Sequence, residues 1–182
     1  MDRALALAHR GLGDTSPNPP VGCVIVRDGD VIAEGWHRRA GEPHAEIEAL
    51  NQLGGQATGA TAYVTLEPCN FTGRTGPCTN ALITSGINRV VVGALDPNPK
   101  VQGSGIAHLR NTGIDVTVGV EAERCGNVIA AFATWVTLHR PLVTLKVATS
   151  LDGRIATASG HSQWVTGPEA RAEVHRMRDI TD

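Results

Sequence analysis

Two short stretches of the sequence constrain its fold more than any other feature. His44-Ala45-Glu46 places an imidazole two residues before a carboxylate, and Cys69 and Cys78 follow with eight residues between them. One imidazole and two thiolates are three zinc ligands, and three protein ligands leave the fourth tetrahedral position open for water, as in catalytic zinc sites. We therefore predict that the chain folds so as to bring His44, Cys69 and Cys78 together around a zinc ion.

The carboxylate of Glu46 adds a chemical role to this pattern. His-x-Glu followed by Pro-Cys and a second Cys is typical of zinc nucleobase deaminases, in which the Glu transfers protons without binding the metal. That pattern has two residues between its cysteines, whereas this chain has eight. Zinc lowers the pKa of a bound water from about 15.7 to around 7. Glu46 would then pass the water proton to the ring nitrogen and the departing amine.

A less specific interpretation is that His-x-Glu occurs by chance and that Cys69 is a small buried hydrophobic residue, as single cysteines often are. Two features of context favour the metal site. The His-Ala-Glu triplet opens a helical pattern, and Pro68-Cys69 directly follows a strand pattern. We interpret Cys23, inside an apolar strand, and Cys125, on a helix, as structural residues.

Strand and helix patterns alternate through the first 140 residues. We predict strands at 21–26, 31–36, 61–66, 89–95 and 114–120, and helices at 2–11, 45–53, 78–85, 105–111 and 121–138. This alternation predicts an α/β sandwich. Ligands bind such sheets at the carboxyl ends of the strands, where Cys69 and Asp96 lie.

The remaining residues form a separate segment. His139-Arg140-Pro141 is typical of a boundary, residues 142–147 predict a strand, and a helix follows up to residue 177. Roughly 40 residues with no returning partner elements make a poor independent domain. We therefore expect domains at 1–140 and 141–182.

Composition excludes several classes of partner. The net charge of −2 and the aromatic content of 3% argue against a nucleic-acid partner, which needs basic and stacking side chains. No apolar run approaches the ~20 residues of a membrane span. The first residues lack a signal-peptide pattern, and four cysteines suit a reducing compartment, so we expect a cytoplasmic protein with no membrane partner.

Four stretches of the chain carry a resemblance to a known family. They are SPNPPVGCVIV at 16–26, AGEPHAE at 40–46, TLEPCNFTGRTGPC at 65–78 and DPNP at 96–99. Together they resemble the bifunctional riboflavin-biosynthesis pyrimidine deaminase/reductases, whose long gap between the cysteines differs from that of cytidine and tRNA adenosine deaminases. Residues from about 141 resemble the opening of the reductase domain.

The resemblance implies a fold and a reaction. Residues 1–140 would form a three-layer α/β/α cytidine-deaminase-like sandwich with a mixed central sheet, and 141–182 the incomplete start of a dihydrofolate-reductase-like domain. The deaminase would replace the 2-amino group of 2,5-diamino-6-ribosylamino-4(3H)-pyrimidinone 5′-phosphate by a carbonyl oxygen. The reductase would then convert the ribosyl group to ribityl with NADPH.

The resemblance also assigns residues. It implies that His44, Cys69 and Cys78 hold Zn²⁺ and that Glu46 is the proton shuttle. In the second segment, Ala148 and Trp164 match NADP-contacting positions, whereas Ser162 and Arg178 match substrate-contacting positions.

Four further residues are substrate-binding candidates on chemical grounds. Asn18, Asp96 and Asn98 could contact the ring, ribose or phosphate, although Asn and Asp before Pro also favour turns without any ligand. Arg74 is a candidate phosphate clamp, because guanidinium matches phosphate in a bidentate way.

The chain departs from the family pattern in the loop between the cysteines. The family usually has Ser-His-His after the first Cys, where this chain has Asn70-Phe71-Thr72, and usually has Pro where Gly76 stands. These changes remove no zinc ligand, but they remove two imidazoles that could orient a substrate. Two alternatives therefore stay open, a zinc deaminase of another nucleobase or nucleoside and a non-catalytic zinc-stabilised binding module.

We make two further predictions for the chain as a whole. Folds of this kind often bury surface between subunits, so we expect a homo-oligomer. The 182-residue chain alone should not carry out the reductase step, because a single strand provides no nicotinamide crevice.

Overall fold

The computed structural model describes residues 1–72, 76–99 and 101–181. Its chain divides into two units, Met1–Pro141 and Leu142–Asp182.

The first unit is built on one five-stranded sheet. Its strands are β1 Gly22–Arg27, β2 Asp30–Trp36, β3 Thr61–Leu66, β4 Arg89–Ala94 and β5 Asp115–Val118. The spatial order is β2-β1-β3-β4-β5, in which β1 is antiparallel to β2 and β3 while β3, β4 and β5 run parallel. Asp28 and Gly29 turn the β1–β2 hairpin with positive φ angles of 53° and 90°, which favour Asp-Gly pairs.

Helices cover both faces of this sheet. They are α1 Asp2–Ala8, continued by a 3₁₀ turn at His9–Gly11, α2 Ala45–Asn51, α3 Cys78–Thr84, α4 Ser104–Asn111, α5 Ala122–Val128 and α6 Ala130–Leu138. Buried residues of α1 and α5 pack together against one face, and those of α2, α3 and α4 form the larger core on the other. The predicted three-layer α/β/α sandwich with a mixed sheet is confirmed.

The core follows from the alternation of side chains along the strands. Cys23 and Ile25 of β1 point into the larger cluster, and Val24 between them points into the smaller one under α1. Cys125 is also buried, in agreement with a structural role.

Two glycines bring helices unusually close to the sheet. A Cβ atom at Gly35 of β2 would lie 2.2 Å from the backbone oxygen of Ala45, and one at Gly22 would lie 2.0 Å from that of Ala4. Such distances are far below normal contact. The absence of a side chain at Gly35 therefore sets how closely α2 can lie on the sheet.

Two predicted elements were wrong. The single helix predicted at 121–138 is divided into α5 and α6 at Ile129, whose backbone (φ −98°, ψ 13°) leaves the helical conformation. The strand predicted at 142–147 is absent. Leu145 is 85% exposed there, because no partner strand pairs with this run among residues 142–181.

The second unit has little regular structure. One helix, α7 Pro168–Asp179, begins with Pro at its first position, where the missing N–H costs nothing. A turn at 150–154 is closed by the N–H of Ser150 donating to the carbonyl of Arg154 at 2.9 Å. None of the residues described in this unit is fully buried.

Candidate metal centre and active site

Three side chains form a compact set of metal donors at the carboxyl end of β3. His44 immediately precedes α2, Cys69 follows β3, and Cys78 is the first residue of α3. The Nδ1 atom of His44 lies 3.6 Å from the Sγ of Cys69 and 3.3 Å from that of Cys78. All three donor atoms lie within 4.8 Å of one another, and this donor set fits a tetrahedral zinc ion with one position open.

Backbone geometry explains why these three residues meet. Because β2 and β3 are both antiparallel to β1, the segments that follow them begin at the same edge of the sheet. The N–H of Cys78 donates to the Sγ of Cys69 at 3.4 Å, and the N–H of Thr79 donates to the carbonyl of Cys69 at 3.2 Å. The start of α3 therefore holds the first cysteine directly.

The two thiols differ in acidity because they share a hydrogen bond. The hydrogen bond from Cys78, aided by His44, lowers the pKa of Cys69 to about 4. The same bond and burial raise the pKa of Cys78 well above its ordinary value. This arrangement favours the thiolate form of Cys69, which is the form that binds a metal.

Glu46 lies in the first turn of α2 and is only 3% exposed. Burial, together with the charge on Cys69, raises the pKa of this carboxyl to about 7. A group with such a pKa exchanges protons readily at neutral pH, as a general acid–base residue must. Glu46 lines the same cavity as His44 and Cys69.

This cavity has a volume of about 400 Å³, which suits a small-molecule ligand. Asn18, Asp96 and Asn98 all line it, so the structure brings these three predicted substrate residues together beside the metal donors. Burial raises the pKa of Asp96, and its Oδ1 accepts the N–H of Asn98 at 2.8 Å. Arg74, the predicted phosphate clamp, lies outside the described residues.

His37 also lines the cavity and was not predicted from the sequence. It is 2% exposed, and burial lowers its pKa. Its Nδ1 lies 3.0 Å from the carbonyl of Pro43 and must donate, so Nε2 is left to accept the amide N–H of Asn18 at 3.0 Å. The neutral imidazole of His37 therefore fixes the orientation of the Asn18 amide. The rings of His37 and His44 meet edge-on, with their centres 5.2 Å apart.

Three further residues line the cavity without having been predicted to do so. Glu67 is buried, and it stands in the chain between the end of β3 and Pro68, within the sequence motif around Cys69. Phe71 and Phe132, the only two phenylalanines of the chain, both line the cavity, and Phe71 is 52% exposed. Glu67 could have been identified as a cavity residue from the sequence, because it is a charged residue directly after an apolar strand. Nothing in the sequence indicated that positions 71 and 132 lie in the same cavity.

The second unit contains a cavity of its own, of about 300 Å³. All four residues predicted in this unit, Ala148, Ser162, Trp164 and Arg178, line it, together with Lys146, Arg171 and His175. The guanidinium of Arg171 lies 4.3 Å from the ring centre of Trp164. The cavity is therefore rich in cationic groups, which suit a phosphorylated ligand.

Among the described residues, no helix combines the length and the apolar character that crossing a membrane requires.

Two known protein families match separate parts of the chain. Residues 1–94 match the family described as "Cytidine and deoxycytidylate deaminase zinc-binding region". Residues 141–182 match the "RibD C-terminal domain".

Relatives of known name extend the similarity to almost the whole chain. "Riboflavin biosynthesis protein RibD" of Aquifex aeolicus is 52% identical over 98% of this chain and 50% of its own length. The protein of the same name from Escherichia coli is also 52% identical, over 98% of this chain and 48% of its own length. The chain thus spans about half the length of the curated relatives it matches.

Solved structures show the same similarity. A diaminohydroxyphosphoribosylaminopyrimidine deaminase/5-amino-6-(5-phosphoribosylamino)uracil reductase from Thermotoga maritima superposes with a TM-score of 0.92 at 50% identity, over 99% of this chain and 52% of the other. Acinetobacter baumannii RibD gives a TM-score of 0.88 at 51% identity, over 99% and 51% of the two chains.

Proposed function

Because this chain belongs to the riboflavin-biosynthesis deaminase/reductase family and carries its zinc-binding deaminase region, we propose that its first unit is a pyrimidine deaminase. The substrate is 2,5-diamino-6-ribosylamino-4(3H)-pyrimidinone 5′-phosphate, and the product is 5-amino-6-ribosylamino-2,4(1H,3H)-pyrimidinedione 5′-phosphate. The observation that carries this proposal is the meeting of His44, Cys69 and Cys78 at the edge of a cavity that the buried carboxyl of Glu46 lines together with His44 and Cys69.

His44, Cys69 and Cys78 would hold the zinc ion. When bound, zinc supplies Lewis-acid activation of a water molecule at neutral pH. Glu46 would take one proton from the attacking water and deliver it to the ring nitrogen, and would then pass the remaining proton of the hydroxyl added to the ring carbon to the departing amine, which leaves as ammonia. Its raised pKa suits it to both steps, since the group must be deprotonated first and protonated next.

The walls of the cavity would bind and orient the pyrimidine. The orientation that His37 imposes on Asn18 leaves the Oδ1 of that amide for an N–H or O–H donor on the substrate. Phe71 and Phe132 offer apolar surface to the ring. Asp96 and Asn98 contribute further polar contacts, and Arg74 reads the 5′-phosphate.

The decisive experiment measures ammonia release by zinc-loaded protein. We expect release from the phosphoribosylated diaminopyrimidinone and little from cytidine, deoxycytidylate or adenosine. Preferential turnover of one of those compounds would favour deamination of another nucleobase or nucleoside. No turnover of any of them by folded, zinc-loaded protein would favour a binding module.

A matched variant tests the phosphate contact. Arg74→Ala should raise KM for the phosphorylated substrate and have little effect on the dephosphorylated nucleoside. An equal effect on both compounds would contradict the assignment of Arg74.

The second unit belongs to the reductase half of the proposed function. Ala148 and Trp164 would contact NADPH, and Ser162 and Arg178 would contact the substrate. Their shared cavity supports this assignment. Nicotinamide sites normally use a sheet whose strand ends form a crevice, and residues 142–181 contain no strand.

We therefore propose that the 182-residue chain by itself does not reduce the deaminated product. Purified protein given NADPH and that product should show no loss of nicotinamide absorbance. Substrate-dependent oxidation of NADPH would contradict this part of the proposal.

The cellular setting completes the proposal. The four cysteines are free thiols, in keeping with a reducing cytoplasm. We propose a homo-oligomer with no nucleic-acid partner, which light scattering and a nucleic-acid binding assay on the same preparation would check.

A further inference from the structure

We propose that Glu67 is a positioning residue of the active site. Its buried carboxylate joins the turn that carries Cys69 to a segment made of residues 96–99 and 101–106, and it thereby sets the position of Asp96 and Asn98 in the cavity wall. Only the expected effect on substrate binding rests on the proposed deaminase function.

Four backbone N–H groups donate to this one carboxylate. Its Oε2 accepts from Gly103 at 2.9 Å and from Asp96 at 3.3 Å. Its Oε1 accepts from Gly105 at 3.0 Å and from Ile106 at 3.4 Å. Both oxygens are thus used, and both connect to the same segment of chain.

No cation accompanies the carboxylate in the described part of the chain. Glu67 is 3% exposed and forms no ion pair among residues 1–72, 76–99 and 101–181. A buried carboxylate without compensation is costly. Here the N–H groups and the positive end of the α4 helix dipole provide that compensation, so the loop and the helix start must keep their conformation around it.

The same junction is closed by two other contacts. A Cβ atom at Gly105 would lie 2.1 Å from the carbonyl oxygen of Pro68, so only glycine permits this approach. The amide of Asn70 donates to the carbonyl of Ser104 at 3.4 Å. Pro68 and Asn70 are the neighbours of Cys69, and therefore the metal-ligand turn and the start of α4 are held as one body.

The cavity wall depends on this junction. The N–H of Asp96 is held by Glu67, and the Oδ1 of Asp96 in turn accepts the N–H of Asn98 at 2.8 Å. Both side chains line the cavity with Cys69. A shift of the segment would move two proposed substrate contacts relative to the metal donors without removing either contact residue.

Glu67→Gln tests the proposal, because it keeps the size of the side chain but turns one acceptor into a donor that faces N–H groups. We expect faster hydrogen–deuterium exchange over residues 96–106 and unchanged exchange in β1 and α2. We also expect one equivalent of zinc to remain bound, with KM raised about ten- to a hundred-fold and kcat changed much less. Glu123→Gln, the same change at an exposed position of α5, is the matched control and should resemble the wild type.

A double-mutant cycle separates positioning from a general loss of structure. If Glu67 acts through the segment, Asn98→Ala should raise KM much less in the Glu67→Gln background than in the wild type. Fully additive effects on KM, or unchanged exchange over 96–106, would overturn the proposal.

The exchange measurement needs no substrate, so it tests the role of Glu67 even if the wild type fails to deaminate the proposed compound. That failure would count against the proposed function alone. If Glu67→Gln does not fold, Glu67→Asp decides the matter in its place. That change keeps the charge but shortens the side chain, so faster exchange confined to 96–106 supports the proposal and unchanged exchange overturns it.

Discussion

Two apolar runs of similar composition differ strongly in how much of their side chains is exposed. β4 contains Val90, Val91 and Val92, which are at most 2% exposed between β3 and β5. Residues 142–147 read Leu-Val-Thr-Leu-Lys-Val, yet Val143 and Leu145 are 78% and 85% exposed. The difference lies in the neighbours, because β4 has a hydrogen-bonded partner on each side and the second run has none among the residues described.

An apolar run therefore forms a strand only where a sheet can receive it. Backbone N–H and C=O groups of a strand are satisfied by other strands, not within the strand itself. All residues of the described hydrophobic core belong to the first unit. The two units of the chain can therefore serve as controls for each other.

The largest expected effect is the loss of the metal from the first unit. Cys69→Ser or Cys78→Ser should abolish zinc binding and deamination, because a hydroxyl is a poor replacement for a thiolate ligand. Zinc content should be measured on purified protein by metal analysis. Cys125→Ser, at a buried position outside the donor set, should keep one equivalent of zinc, and full retention in Cys69→Ser would contradict the assignment.

The next effect concerns Glu46. Glu46→Gln should retain zinc and lose about 10²- to 10⁴-fold in kcat, the usual contribution of a general acid–base group. Steady-state ammonia release, with zinc content measured in parallel, checks this. Near-normal turnover would show that another group transfers the protons.

A pair of leucine truncations compares the two units directly. Leu82→Ala, at a fully buried position of α3, should lower the free energy of unfolding by about 2–5 kcal/mol. Leu145→Ala, in the exposed run, should change it by less than about 0.5 kcal/mol. Urea denaturation followed by far-UV circular dichroism measures both, and a large effect at Leu145 would mean that the second run is packed in solution.

The smallest effect should be seen in limited proteolysis of the intact chain. Segments with few buried contacts open readily and are cut first. We expect early cleavage within residues 142–167 and survival of a fragment close to residues 1–141. Mass spectrometry of the first products decides this, and initial cuts inside the β1–β5 sheet would reverse the comparison.

Local patterns were sufficient for most of the first unit. The strand predicted at 61–66 coincides with β3, and the helices predicted at 45–53 and 78–85 contain α2 and α3. The alternation of strands and helices predicted an α/β sandwich, and the family resemblance supplied its three-layer, cytidine-deaminase-like form. The pattern could not reveal the break at Ile129, because the apolar residues on both sides continue at helical spacing.

The site was less accessible to prediction than the fold. The amino-acid sequence alone was enough to propose His44, Glu46, Cys69 and Cys78. Imidazole and thiol groups are metal ligands and a carboxyl group can transfer protons, so the residue type itself indicates the role. The roles of His37 and Glu67 depend on partners distant in sequence, the Asn18 amide and the N–H groups of residues 96–106. Contacts of this kind emerge only when the strands are placed side by side, and no single-sequence pattern encodes them.

The missing side chain at Gly35 has a consequence for how this protein can change over evolutionary time. Even one methyl group there would press against the backbone of α2 between Ala45 and Ala49, and it would move the helix that follows His44. A position that touches neither metal nor substrate should therefore tolerate replacement as poorly as a ligand does. In a deep mutational scan for activity, we expect position 35 to be as intolerant as positions 44 and 69, and efforts to redesign the pocket should leave it untouched.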